Sequence, residues 1–71
     1  MTRLIVDPNP VTLATLNTGQ CFVQQPTDNP LYGYRVEEAG TEPFVKALAP
    51  MAPVGNLPMA GDLQVYLVVA A

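Results

Sequence analysis

The sequence predicts one small all-β domain, residues 1–71, and three observations carry that prediction. Eight prolines and five glycines interrupt the 71 residues so often that only residues 12–17 leave room for a helical turn. Apolar and polar side chains alternate along residues 31–38, and apolar ones recur at every second position from Leu63 to Val69. Clusters of Pro, Gly, Asn and Asp recur roughly every ten residues, the spacing of turns between short strands. The predicted architecture is a small antiparallel barrel or sandwich of four to five strands with at most one short helical turn.

Taken in order, residues 1–10 read as an extended N-terminal arm, because Pro8 and Pro10 push the residues before them out of the α region. Residues 11–19 follow with Leu13 and Leu16 three apart on one face and Gly19 as a stop, the pattern of a short 3-10 or helical turn. Residues 20–25 hold Cys21, Phe22 and Val23 and read as a strand ending in the turn formers of 26–30. In residues 31–38, Tyr32, Tyr34 and Val36 form an apolar face, with Gly33, Arg35 and Glu37 on the other. After a turn at 39–42, residues 43–49 read as a third strand. Residues 62–70 read as the last one, apolar on both faces: Leu63, Val65, Leu67 and Val69 on one, Tyr66 and Val68 on the other. Such a strand is central in its sheet or meets a partner.

Charge is scarce. Only 13% of residues are charged, three Lys plus Arg against six Asp plus Glu, while 49% are hydrophobic. A typical soluble domain carries about 25% charge. A domain of about 60 residues buries only about 60% of the surface its unfolded chain exposes. Much of what stays outside must therefore be apolar, and a neighbour is expected to cover it.

Composition also excludes chemistry. The chain has no His and a single Cys, so Cys/His zinc sites, intrachain disulfides and nucleophile–His pairs cannot form, and no enzyme activity, metal or cofactor is expected. A net charge of −3 supplies no cationic field for phosphates, which argues against nucleic acid as a partner. The charge-free run 47–61 is broken by Pro50, Pro53, Gly55 and Pro58, and residues 63–71 are too few to cross a bilayer as a helix. The apolar run of Leu4, Ile5 and Val6 is too short for the core of a signal peptide, so the expected site of synthesis is the cytoplasm, with no membrane partner.

The candidate interface centres on the uncharged Pro/Met-rich loop 50–61, with Met51, Val54, Leu57 and Met59 as anchors, together with Tyr66 and Val68 of the last strand. Such a loop either plugs the domain's own core or presents an adhesive patch, in which Pro limits the entropy lost on docking and Met adapts to an irregular surface. Both readings stay open. Tyr32, Tyr34 and Tyr66 read as core and rim residues rather than a stacking platform, since base stacking would lack its cations. Glu37, Glu38 and Glu42, with Asp62, read as a solvated acidic turn rather than a calcium site, which needs denser oxygen ligands. Cys21 has no neighbour to activate it and reads as core filler. Arg35 is expected to pair with Glu37 or Glu42.

Leu16, Gly19 and Phe22, spaced three apart and followed by Tyr34-Arg35-Val36, a further apolar strand and closing alternating valines, resemble the small β-barrel proteins of tailed bacteriophages over residues 13–69. On that pattern Leu16 closes the barrel end, Gly19 permits a turn and Phe22 begins the core strand. The resemblance implies a structural virion protein of the capsid decoration or cement type, located in the virion. Its expected partners are copies of itself, the major capsid protein, or both, with no small-molecule substrate. A small phage regulator that binds a host protein through an edge strand is the alternative.

Overall fold

The longest strand in the molecule, Gln64–Ala70, organises everything else. In this computed structural model, which describes residues 3–48 and 55–70, it is β7, preceded by β1 (Leu4–Val6), β2 (Val11–Thr12), β3 (Cys21–Val23), β4 (Tyr34–Glu38), β5 (Phe44–Ala47) and β6 (Leu57–Pro58). The sheet order is β1-β7-β3-β4-β5-β6, with β2 also on β7, and every pairing is antiparallel. β7 is apolar on both faces because it is central: β3 lies along one side, while β1 and β2 follow one another as partners.

The all-β antiparallel class is as predicted, but the strand count rises from four or five to seven among the described residues. The additional strands β1, β2 and β6 have two or three residues each. Too short to display an alternation, they exist because long β7 and β5 offer them a ladder. The expected N-terminal arm is accordingly not free: Leu4, Ile5 and Val6 lie opposite Ala70, Val69 and Val68. A second 3-10 turn, Pro30–Tyr32, replaces the first part of the strand predicted for 31–38. Its cause is local. Asn29 Oδ1 accepts the Leu31 N–H at 2.9 Å, and Pro30 supplies a preset φ at the first turn position.

The other turn, Leu13–Thr15, falls where Leu13 and Leu16 predicted it, and both leucines are buried. It carries the chain from one side of β7 to the other, beneath the core. Gly19 follows with φ +93°, a conformation that favours glycine, and its N–H donates to the Val36 carbonyl at 2.8 Å. Leu16 and Phe22 enter the core, while Gly19 stays exposed at the turn between them.

The core comprises Leu13, Leu16, Phe22, Val36, Val45 and Val65, with Val11, Tyr34, Met59 and Leu67 packed against it. Phe22 and Tyr34, opposite one another on β3 and β4, stack with centroids 5.4 Å apart. At one rim the chain closes the sheet on itself: Met59 N–H donates to the Pro43 carbonyl, Ala14 N–H to Gly61 and Leu13 N–H to Leu63. Residues 59–63 thereby bridge the β5 side and the β2 side.

Candidate functional site

Directly opposite residues of antiparallel strands share a face, so the register sorts the side chains without further assumption. Phe22, Tyr34, Ala47 and Leu67 fall on the core face; Cys21, Arg35, Lys46 and Val68 fall on the other. Cys21 is therefore not the core filler that the sequence suggested. It is half-buried on the outer face of β3, between Val68 and Arg35, because a shift of one residue along a strand reverses the face.

On that side the sheet holds an open groove of about 330 Å³. Leu4, Cys21, Val68 and Ala70 contribute from β1, β3 and β7, while Leu31 of the second 3-10 turn and Leu48 border it. The groove exists because Asn29 and Pro30 curl the chain back before β4, leaving Leu31 standing over the sheet, 58% exposed. Leu4, which lines the groove, is also exposed.

The predicted interface residues that are described do not form one patch. Val68 lines the groove, and Tyr66, two residues before it on the same face of β7, lies opposite Val23 and is half-buried. Leu57 sits on β6, at the other end of the sheet order, and is 37% exposed. Met59 turns inward, partly buried against the core cluster. Within loop 50–61 the described part therefore does two things: Met59 serves the domain's own core while Leu57 faces out. Met51 and Val54 lie outside the described residues.

The tyrosines are dispersed as well. Tyr34 stacks on Phe22, Tyr32 is exposed, and Tyr66 occupies the opposite face from Tyr34, so no shared platform arises. Arg35 pairs with Glu37, Nη2 to Oε1 at 2.8 Å, and the hydrogen bond and charge of Glu37 raise the guanidinium pKa above its ordinary value. Glu38 and Glu42 are exposed, and no group of three or more metal-ligating side chains gathers among the described residues. The Arg35 side chain is 43% exposed, so solvent screens the pair. Arg35→Gln should leave the urea midpoint nearly unchanged; a large drop would show that the pair anchors the β4–β5 edge.

Sequence reasoning missed Leu4, Ile5 and Leu31 as surface features. Leu4 and Ile5 were visible as a three-residue apolar run with Val6, but only the pairing with β7 reveals that Leu4 borders a groove and that Ile5 faces the other way. Comparison of the chain with protein-family models, curated proteins and solved structures gave no match.

Proposed function

We propose that the protein is a non-enzymatic structural part, of the kind that decorates or cements a tailed-phage capsid, held in its assembly by apolar contacts. The supporting observation is the surface itself. Leu4, Ile5, Leu31, Tyr32, Phe44, Leu57 and Leu63 are each 37–58% exposed on a chain with only three cations. Permanent interfaces are more apolar than transient ones and are depleted of charge at their centre, so such a surface suits a part that stays docked.

The test is recovery of the chain from purified particles by quantitative mass spectrometry. A decoration protein is present in copies commensurate with the lattice, and particles lacking it disrupt at lower temperature. Leu57→Asp should reduce incorporation while changing the stability of the isolated chain by less than about 0.5 kcal/mol, as is usual for exposed positions. Met59 is unsuitable for this purpose, since a carboxylate there would be placed against the core.

The alternative, a regulator that adds its edge strand to a host protein, draws on a different observation: among the described residues β1 ends the sheet order and pairs only with β7. Absence from particles together with capture of one stoichiometric host protein would favour it and overturn the decoration reading.

A further inference from the structure

We infer that β1 is a self-complementary edge through which two copies of this chain pair antiparallel about a two-fold axis at Ile5. This deepens the reading of the protein as an assembly part by naming one of its partners as itself.

The argument begins with the backbone. Leu4, Ile5 and Val6 face Ala70, Val69 and Val68, and the next residue, Asp7, donates its N–H to the Leu67 carbonyl at 2.8 Å. In an antiparallel ladder hydrogen-bonded and non-hydrogen-bonded pairs alternate. With Asp7 bonded to β7, Ile5 is bonded to it too, and Leu4 and Val6 direct their N–H and C=O groups away from the sheet. Among the described residues no strand lies beyond them in the sheet order. Two copies placed antiparallel with Ile5 on the axis bring Leu4 of each opposite Val6 of the other. Those are the residues with outward-facing groups, so about four backbone hydrogen bonds form between the copies.

The side chains select the same register. Ile5 is 50% exposed and meets its own copy on the axis, in a non-hydrogen-bonded pair where side chains approach most closely. One step further out, Arg3 of each copy falls opposite Asp7 of the other. The five residues Arg3-Leu4-Ile5-Val6-Asp7 thus read as cation, three apolar residues and anion, and reversal of direction matches cation to anion at both ends. A shift by two residues in either direction would lose both ion pairs, placing Arg3 opposite Asn9 or Ile5, and in the first case it would also run the ladder into Pro8, which has no N–H to donate. Leu4 and Val6 also continue the apolar groove face across the axis, since Leu4 lines that groove. A heterologous strand would need the same charge pattern in reverse; a second copy has it by construction.

Five residues a side bury less than the standard interface of about 1,600 Å², so the dimer is weak in isolation, with a Kd in the micromolar-to-millimolar range. The experiment is sedimentation equilibrium of the full chain up to about 1 mM, with amide exchange recorded at low and high concentration. Dimerisation with slowed exchange at Leu4 and Val6, while Ile5 and Asp7 are protected at both concentrations, is the expected result. Arg3→Asp places two carboxylates opposite one another at each end, and Asp7→Arg places two guanidinium groups there. Each variant alone should weaken the dimer at least about 10-fold, as like charges directly opposite do. Mixing the two variants pairs opposite charges again and should restore association between them. That mixture decides the matter even though Asp7 Oδ1 also accepts from Asn9, because circular dichroism of each variant reports its fold separately. A chain that stays monomeric throughout, or variants that dimerise as the parent does, or a mixture that fails to associate although both variants are folded, overturns the inference. The decoration reading would survive that result if the chain is still found in particles; conversely, a charge-controlled dimer absent from particles would leave the dimer standing and remove the decoration reading.

Discussion

Phe22→Ala should unfold most of the protein. Phe22 is fully buried at the centre of the core cluster, opposite Tyr34 on one side and Leu67 on the other. Truncation of a buried Phe costs about 3–5 kcal/mol from lost transfer energy and the cavity left behind. The stacked Tyr34 ring loses its partner as well, a contribution of about 0.5–1.5 kcal/mol beyond burial. Against that, a chain of 71 residues has a total stability of about 4–11 kcal/mol at the usual per-residue value. The variant should therefore show a urea midpoint near zero, or no cooperative transition by circular dichroism. Phe22→Leu keeps an apolar side chain and should stay folded. Phe44, the chain's other Phe, is 39% exposed on β5, and Phe44→Ala should cost less than about 1 kcal/mol. Equal losses at the two positions would mean that the sheet is not curled around Phe22 in the way described.

The second large effect is expected at a residue that buries no side chain at all. A Cβ added to Gly33 would collide with the Phe22 carbonyl oxygen and come within 2.8 Å of Val23 Cγ1. The carbonyl belongs to the strand backbone and cannot rotate away, so relief requires separating β4 from β3. Overpacking of this kind costs about 1–3 kcal/mol, and a backbone obstacle places Gly33→Ala at the upper end. Gly61→Ala meets the equivalent obstacle, the Thr41 carbonyl oxygen, at the rim where residues 59–63 close the sheet. The two substitutions should differ in kinetics as well as resemble each other in stability. Gly61 joins segments distant in sequence, and if that rim closes after the folding transition state, its substitution accelerates unfolding with little effect on folding. Stopped-flow chevrons for both variants measure this; a slower folding limb for Gly61→Ala would place rim closure before the transition state.

Gly33 also illustrates how far the sequence could be read. Within residues 31–38 it occupied a polar-face position by alternation alone. Its real constraint, the approach of a neighbouring backbone, depends on β3, ten residues earlier in the chain. Cys21 and Phe22 make the same point: the segment was legible as a strand, but which of the two faces inward is a matter of register against β4 and β7. The Leu13 and Leu16 turn was legible because its residues are local, although it ends at Leu16 rather than at Gly19, which belongs to the next turn. The Pro30–Tyr32 turn was concealed by an apparent alternation from Leu31 onward, and Asn29 and Pro30 were the local signals that outweighed it. Of the candidate interface, Leu57 and Val68 are surface or groove residues in the fold, whereas Met59 is shared with the core.

By itself the sequence determined the β class, the positions of β3, β4, β5 and β7, the leucine turn and a surface too poor in charge to be covered by polar groups. These are consequences of local chemistry: proline and glycine limit helix length, period-two alternation marks half-buried strands, and composition restricts what a small domain can hide. Only the tertiary structure decided that β7 is central, that Cys21 and Val68 face a groove, and that the apolar run Leu4–Val6 ends the sheet with its outward backbone groups unpaired within the sheet. The two-residue strands β2 and β6 are too short to announce themselves, and an edge is defined by the absence of a neighbouring strand. Both depend on pairing between segments far apart in the chain.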